Sequence, residues 1–212
     1  MLNYEDDPQG TKAALAEIDA YLFQEPSITH YNHNCTGPQP YGINPTDYTF
    51  SVYGYSNKTA TNLYLTWTVN FNRNEWFPGS LDYASLEFDT KKASYKSSNG
   101  DGTMTTVRER NEGIVLFNVE DGKLKKGTYT YGTVNVTGKR GTTLEFGSKY
   151  VHTYTSFNVS GSASFSFSPS SALKASGEAS LGLSYTYGYK VNLGTKTHKW
   201  QIWTDNAVTI PA

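Results

Sequence analysis

Apolar and polar residues alternate along the chain from position 151 to 193. In the first half of this stretch, valine, alanine and phenylalanine take odd positions and serine dominates the even ones. In the second half, leucine and tyrosine alternate with serine, threonine and glycine, and a turn signal at Pro169-Ser170-Ser171 follows the first half. A period of two residues indicates extended strands with one apolar and one polar face. The stretch therefore predicts a long hairpin whose polar face carries almost no charge.

The same period predicts strands over most of the remaining chain. They are expected at about 47–55, 62–72, 81–88, 103–109, 113–119, 128–137 and 198–209. In the clearest of them, 62–72, one side is expected to be buried and the other solvated. Its apolar face consists of Leu63, Leu65, Trp67, Val69 and Phe71, and its polar face of Tyr64, Thr66, Thr68, Asn70 and Asn72.

Short turn signals separate these strands. Asn99-Gly100 and Asp121-Gly122 are dipeptides that favour two-residue hairpin turns. Turns that recur every ten or so residues are typical of antiparallel sandwiches. The predicted fold class is therefore all-β, a mainly antiparallel β-sandwich that is Ig-like or related, with one short N-terminal α-helix.

The helix is predicted near the N-terminus, where apolar residues recur at helical spacing. Thr11 can cap its start and Pro26 stops it. Four prolines between 25 and 45 predict a loop that wraps the domain. The chain is accordingly divided into a helix with a wrapping loop at 1–45 and a β-sandwich at 46–212, which together form one structural domain. The residues on one helical face are Ala14, Leu15, Ile18, Tyr21 and Leu22.

Charge and composition narrow the function classes. The 212 residues include 18 Lys and Arg and 19 Asp and Glu, a net charge of −1 without any block of like charge. Nucleic acid is not expected as a partner, because phosphate binding needs a clustered basic surface. Cys35 is the single cysteine, which excludes an internal disulfide in a monomer.

The balance of Ser, Thr, Asn, Gly and Tyr favours a secreted bacterial protein stabilised by a sheet core. The first seven residues have neither the basic nor the apolar region of a signal peptide. The alternatives are a cytosolic protein and a mature secreted form whose signal peptide has been removed and replaced by an initiator Met. Composition favours the second.

No recognised catalytic constellation is found. The nucleophile elbow, the phosphate loop and the His-Glu-x-x-His motif are missing, and a Ser-x-x-Lys match at 171–174 lacks its Lys-Thr-Gly strand. We therefore expect no enzyme activity and no cofactor. His30, His33 and Cys35 lie within six residues and could begin a zinc or copper site, but a closed site needs a fourth ligand. Metal binding through these three residues is a second alternative function, against the plainer interpretation of a polar loop.

Aromatic residues suggest the favoured function. Trp76 and Phe77 lie in a predicted loop, and Tyr53 and Tyr55 share one face of a predicted strand. A ring stacks on the apolar face of a sugar while amides and carboxylates bind the hydroxyls. These four residues are candidate ligand-binding residues, with cross-strand packing as the competing interpretation for the tyrosines. We expect a secreted, non-catalytic protein that binds a cell-surface component such as a glycan, or that serves as an extracellular structural protein.

The hairpin suggests the first alternative function. Residues 150–173 contain no Asp, Glu, Lys or Arg, and each arm offers the ~9–11 alternating residues of a membrane-spanning strand. These amphipathic, Ser/Thr-rich arms resemble the stem hairpin of aerolysin-type and related β-pore-forming toxins. The resemblance implies that 153–190 inserts into a membrane as part of a barrel, so a membrane is a partner under this alternative alone. The candidate stem residues are Phe157, Val159, Phe165, Phe167, Leu181 and Leu183.

Overall fold

The computed structural model describes residues 8–17, 20–24, 30–32, 47–57, 61–74, 81–111, 113–123, 125–155, 162–167, 189–195 and 197–212. These ranges contain one α-helix, α1 (Pro8–Glu17), and a 3₁₀ helix at Asp121–Lys123. The strands are β1 (Ala20–Gln24), β2 (His30–Asn32), β3 (Tyr48–Asn57), β4 (Asn62–Phe71), β5 (Asp82–Phe88), β6 (Ala93–Gly100), β7 (Thr105–Asn111), β8 (Ile114–Val119), β9 (Tyr129–Gly138), β10 (Thr143–Thr155), β11 (Ser162–Phe167), β12 (Tyr189–Thr195) and β13 (Thr197–Thr209).

The strands form two large antiparallel sheets and a separate pair. The first sheet has the order β1-β3-β4-β9-β6, the second has the order β2-β13-β10-β5-β8-β7, and β11 pairs with β12. Apolar residues of both large sheets share one core. The predicted all-β, mainly antiparallel sandwich with one short N-terminal helix is confirmed. β1 and β2 precede residue 46 but pair with β3 and β13, and the division at residue 45 stays a prediction.

The core between the two large sheets follows from the alternation of the sequence. The predicted apolar face of β4 is buried from Leu63 to Phe71. Its Trp67 meets Phe117 of the opposite sheet edge to face, with ring centroids 5.5 Å apart, and Phe50 of β3 lies 6.3 Å from Trp67. Burial of each such side chain contributes roughly 1.5–3 kcal/mol. These rings therefore bind the two sheets together.

The polar face of β4 is also buried, so the prediction of a solvated side is wrong. Thr66 and Thr68 are almost completely covered. The hydroxyl of Thr68 lies 2.8 Å from that of Ser51, and the hydroxyl of Thr66 lies 2.9 Å from that of Thr133. Short hydroxyl side chains can satisfy one another across strands. This reduces the cost of burying polar groups, which alternation alone does not reveal.

The N-terminal helix is shorter than predicted. It begins at Pro8, before the expected cap at Thr11, and ends at Glu17. Proline suits a first helical position because no donor is needed there. Tyr21 and Leu22 were expected on the helix, but they belong to β1, which pairs with β3. The run Tyr-Leu-Phe favours a strand, and the edge of the first sheet supplies its hydrogen-bond partners.

Neither turn signal produces the predicted hairpin. β6 ends at Asn99-Gly100 and β7 is the next strand in the chain. The two strands do not pair with each other, because β6 pairs with β9 and β7 pairs with β8. β8 and β9 flank Asp121-Gly122 and likewise lie in different sheets. Both connections cross from one sheet to the other. A turn signal indicates that the chain reverses, but it does not specify the strand that becomes the neighbour.

The predicted hairpin over 151–193 does not form as one pair of strands. Its described residues belong to two pairs, β10 with β13 and β11 with β12. β10 pairs along its whole length with β13 and over a shorter segment with β5. β11 and β12 pair antiparallel in a sheet of their own. The two predicted arms therefore pair with each other where 162–167 meets 189–195. Val151 was expected in the first arm, but it belongs to β10 of the second sheet.

Asp101 organises the connection between β6 and β7. Its Oδ1 accepts the backbone N–H groups of Thr103, Met104 and Thr105 at 2.7, 2.7 and 2.9 Å. Its Oδ2 accepts the hydroxyl of Thr130 of β9 at 2.5 Å. Burial raises the pKa of Asp101, but these hydrogen bonds to the ionised form outweigh burial, and the net pKa lies below the usual 3.8. The carboxylate thus holds the crossover between the sheets.

Replacing Asp101 with Asn is expected to lower the free energy of unfolding by about 1 kcal/mol near neutral pH. The native pKa is below the unfolded value, so the stabilisation by the carboxylate is present above pH 3.8 and is lost as the pH falls through the native pKa. Urea denaturation of the wild type and the variant at about pH 7 and about pH 3 measures this. The difference between the two proteins should shrink at the lower pH, and an equal difference at both would contradict this account.

Candidate functional site

An open cleft of about 580 Å³ lies between β6 and the connection of β7 to β8. β6 and β7 are the last strands of their sheets, so the cleft is at a side of the sandwich where both sheets end. Its floor is formed by buried Phe88, Ala93 and Gly113. Its volume is in the range of small-molecule sites. The rim consists of Thr90, Ser94, Tyr95, Arg110 and Asn111.

Arg110 supplies the positive charge of this rim. Its Cζ lies 4.2 Å from the ring centre of Tyr95, and the hydroxyl of Tyr95 lies 2.9 Å from Ser98 Oγ. A cation over an aromatic face gains about 0.5–1 kcal/mol at an exposed site. Within the described ranges, no carboxylate is close enough to form an ion pair with Arg110. The guanidinium is thus positioned by an aromatic ring while its hydrogen-bonding capacity remains available to a ligand.

Arg108, two residues earlier on β7, has different surroundings. Its Nε lies 3.7 Å from Glu109 Oε1, and its Nη1 donates to Asn118 Oδ1 at 3.2 Å. Its Cζ also lies 5.6 Å from the ring centre of Tyr83. Arg108 is outside the cleft lining. The two arginines therefore differ in that one already has protein partners and the other faces the cleft.

A second feature is the β11–β12 pair, which lies against the outer face of the second sheet. Phe167 is completely buried there, and Val191 and Leu193 are almost so. This contact forms an apolar cluster separate from the core between the large sheets. Its members in the two layers are Phe167, Val191 and Leu193 on one side and Tyr83, Ile114, Leu116 and Val151 on the other.

Charged residues are buried on the same outer face. Lys149 of β10 is only 5% exposed and Glu87 of β5 is fully buried. Ser85 donates a hydrogen bond to Glu87 Oε1 at 2.9 Å, and Lys149 Nζ lies 5.7 Å from the ring centre of Phe167. Burial lowers the pKa of Lys149 and Glu87 raises it, with a net pKa below 10.5. The ammonium form of Lys149 is disfavoured in this environment. Covering Lys149 with the β11–β12 pair therefore has a desolvation cost, which offsets part of the free energy gained from the apolar contact between the pair and the second sheet.

A third feature is a buried polar cluster around Asp82. The hydroxyl of Tyr150 donates to Asp82 Oδ2, His152 Nδ1 lies 3.0 Å from the same oxygen, and the Thr153 N–H donates to Oδ1 at 2.8 Å. Tyr48 Oη lies 3.4 Å from His152 Nδ1. An Asp–His pair serves hydrolysis only beside a nucleophile that a substrate can reach. These side chains are covered, so the cluster instead connects β3, β5 and β10.

Two of the predicted ligand-binding residues have packing roles in the structure. Tyr53 is 0% exposed, so neither face of its ring is open to a ligand. Tyr55 stacks on Tyr64 with ring centroids 5.1 Å apart. Burial, together with charge interactions with Tyr64 and Tyr131, raises the pKa of Tyr55 to about 12. Cross-strand packing is thus the better interpretation of Tyr53 and Tyr55.

The other aromatic candidates, Trp76 and Phe77, lie outside the described residues, and their part in ligand binding stays a prediction. Among the candidate stem residues, Phe167 is buried beside Lys149 and Phe165 lies opposite Val191. The remaining stem candidates also lie outside the described residues; they are Phe157, Val159, Leu181 and Leu183.

Of the three metal candidates, the structure describes His30 alone. His30 belongs to β2 and lies opposite Trp203 of β13, whereas His33 and Cys35 lie outside the described residues. Among the residues that are described, no three His, Cys, Asp or Glu side chains are placed to hold a metal ion. The same ranges contain no helix with the length and apolar character needed to cross a bilayer.

Sequence reasoning missed both Tyr95 and Arg110. They belong to different sheets and come together because β6 and β7 are adjacent edge strands. The segment Ala93–Gly100 has no regular apolar period, so β6 itself was not predicted. Its abundance of small polar residues is typical of an edge exposed to solvent, and that is the one signal the sequence offers.

Comparisons with known proteins show limited likeness. No protein-family model matches the chain, and no curated protein matches it in sequence. Among solved structures, it is similar to the seventh ScaB type I cohesin from Pseudobacteroides cellulosolvens, with 11% identity and a TM-score of 0.33 over 43% of this chain and 69% of that one. It is also similar to the sixth cohesin of scaffoldin B from Acetivibrio cellulolyticus, with 13% identity and a TM-score of 0.29 over 51% of this chain and 78% of that one.

Proposed function

We propose that this chain is a secreted, non-catalytic β-sandwich protein that binds a cell-surface glycan at the cleft beside β6. The observation that carries the proposal is the combination, in one open cleft, of an aromatic ring, a guanidinium and short polar side chains above an apolar floor. Sugars present both apolar faces and hydroxyl groups, and a site of this mixed character suits them. Secretion is supported by the composition.

The rim chemistry favours binding over catalysis. Thr90 and Ser94 supply hydroxyls, but the part of the cleft lining that the structure describes includes no histidine and no carboxylate. A hydroxyl is a weak nucleophile unless a neighbouring base accepts its proton. The Asp–His pair of this protein is buried at Asp82 and is absent from the cleft lining. The described lining residues are therefore suited to holding a ligand, and none of them is placed to transform it.

Filling the cleft tests this proposal. Ser94 lies on the rim and is exposed, so Ser94→Trp should occupy the cleft without disturbing the core. Ser97 is exposed on the same strand but outside the cleft lining, so Ser97→Trp is a matched control. Retention on isolated cell walls and on a glycan array should be lost with Ser94→Trp and kept with Ser97→Trp. Equal retention of the two variants, or no retention of the wild type, rejects the cleft as the binding site.

A second candidate function, membrane insertion, is favoured by how β11–β12 joins the second sheet. β10 and β13 pair up to Thr155 opposite Thr197. Continued unchanged, that register would place Phe167 opposite Tyr185, whereas it lies opposite Tyr189, four positions away. The shift is four from Ser164 to Phe167, and a bulge between Ser162 and Ser164 makes it five at Ser162. An odd shift would turn every side chain to the other face, but an even shift preserves the faces. The two strand pairs could thus merge into one long amphipathic hairpin.

Opposite-face substitutions on β12 test membrane insertion. Val191 belongs to the apolar face and Asn192 to the exposed polar face. A Lys or Arg on the lipid-facing side of a barrel strand costs about 2–4 kcal/mol at the bilayer midplane and an Asp costs less, whereas a lumen-facing charge is tolerated. The wild type and Asn192→Asp should release dye from phosphatidylcholine vesicles, and Val191→Asp should not. Intact vesicles with the wild type, without detergent-resistant oligomers, reject this function.

A further inference from the structure

We infer that the ligand of the cleft beside β6 is an acidic saccharide, one that presents a carboxylate or a sulfate group to Arg110. The inference rests on the proposed glycan-binding function and adds the charge of the ligand to it. Among the described rim residues, Arg110 is the one that carries a formal charge at neutral pH. A neutral sugar would leave that charge without a counterpart on the ligand.

The geometry of Arg110 suits an oxyanion. Its guanidinium lies 4.2 Å from the Tyr95 ring centre, so one of its faces is covered by an aromatic surface. The planar edge of a guanidinium carries parallel N–H donors that match two oxygens of a carboxylate or a sulfate. The interaction with the ring restrains the side chain before the ligand arrives, which reduces the entropy lost on binding.

The electrostatic surroundings favour an anion as well. None of the described residues that line the cleft is acidic. The nearby carboxylates have cationic partners, since Glu109 lies 3.7 Å from Arg108 and Asp89 lies 3.6 Å from Lys92. Among the described residues, no uncompensated carboxylate therefore lies beside Arg110 to cancel its Coulomb attraction for an incoming anion; Glu112, between Asn111 and Gly113 in the sequence, lies outside the described residues.

The remaining rim groups account for the saccharide part of the ligand. Thr90 and Ser94 carry hydroxyl groups that both donate and accept hydrogen bonds. Sugar hydroxyls have the same dual character, so each can be satisfied in either direction. A cleft of about 580 Å³ has the size of a small-molecule site and is too small to enclose a long chain. The site is therefore expected to recognise the acidic end of a glycan.

A glycan array with the full chain tests the inference, using sialylated, uronate-containing, sulfated and neutral glycans. We expect binding to acidic glycans, with the carboxylate and sulfate arms showing which oxyanion is preferred. Arg110→Gln should weaken the best acidic ligand about tenfold or more, because a charged hydrogen-bond donor is lost. Arg108→Gln is the control and should bind as the wild type does, since Arg108 is engaged outside the cleft. Binding should also weaken from about 50 to about 500 mM NaCl.

The outcomes separate this inference from the proposed function. Retention of neutral glycans only, or equal affinity of Arg110→Gln and the wild type for acidic glycans, overturns the inference and leaves glycan binding intact. If the wild type binds none of the acidic or neutral glycans on the array, both the inference and the proposed glycan-binding function are overturned. Thermal unfolding of each variant excludes loss of fold as the cause of weak binding, and Arg110→Lys separates the role of charge from that of the planar donor edge.

Discussion

Replacing Asp82 with alanine is expected to lower the free energy of unfolding by about 3–5 kcal/mol. The carboxylate is completely buried and accepts hydrogen bonds from the Tyr150 hydroxyl and the Thr153 N–H, while His152 Nδ1 lies 3.0 Å away. Alanine would leave these groups covered without their acceptor, and an unsatisfied buried donor incurs its full desolvation cost. Chemical denaturation at neutral pH measures the loss.

A surface carboxylate provides the control for Asp82. Glu120 Oε2 lies 2.8 Å from Lys123 Nζ, with both side chains about half exposed, and such pairs contribute about 0–1 kcal/mol. Glu120→Ala should therefore change stability little. If Asp82→Ala were as mild, the cluster would not be the connection between β3, β5 and β10 that its hydrogen bonds indicate.

Most of the sandwich could be predicted because apolar and polar residues alternate along its strands. β4 is the clearest case, since its apolar face from Leu63 to Phe71 is the face that enters the core. β6 could not be predicted, because it lies at an edge and its exposed positions carry small polar side chains. An edge strand is defined by its hydrogen bonds to one neighbour, and backbone bonding leaves no period in the sequence.

Connectivity was harder to predict than the strands themselves. Asn99-Gly100 has the composition of a hairpin turn, but Asp101 beyond it accepts three backbone N–H groups and directs the chain to the other sheet. Side-chain capping of this kind competes with local strand pairing. The strand pairing of residues 151–193 could not be predicted for a related reason. Their alternation is equally compatible with one pair of strands or with two stacked pairs.

The candidate site could not be predicted because it depends on that connectivity. Tyr95 and Arg110 are fifteen positions apart, on strands of different sheets, and their contact arises only when the chain crosses at Asp101. The aromatic residues that the sequence favoured were chosen by composition and spacing. Tyr53 shows the limit of that reasoning, because a regular aromatic position in a strand is as readily a packing position as a binding one.

Gly132 of β9 provides the second large expected effect on stability. It lies opposite Trp67 in the pairing of β4 with β9, and an added Cβ would lie 2.5 Å from Trp67 Nε1 and 2.8 Å from Phe117 Cε1. Both rings are fully buried and pack on each other, so neither can move away freely. Gly132→Ala should lower the free energy of unfolding by about 2–3 kcal/mol through overpacking.

Gly122→Ala is the control for Gly132→Ala, because a Cβ there meets nothing within 4 Å, and its effect should stay within about 0.5 kcal/mol.

Trp67→Leu removes the indole nitrogen that a Cβ at 132 would meet, so the cost of Gly132→Ala should be smaller in that background. A double-mutant cycle by urea denaturation measures this coupling. Additive effects would contradict the proposed contact, because glycine would then be needed at 132 for the backbone alone. Coupling would instead show that Gly132 allows the indole of Trp67 to reach Phe117 and thereby joins the two sheets.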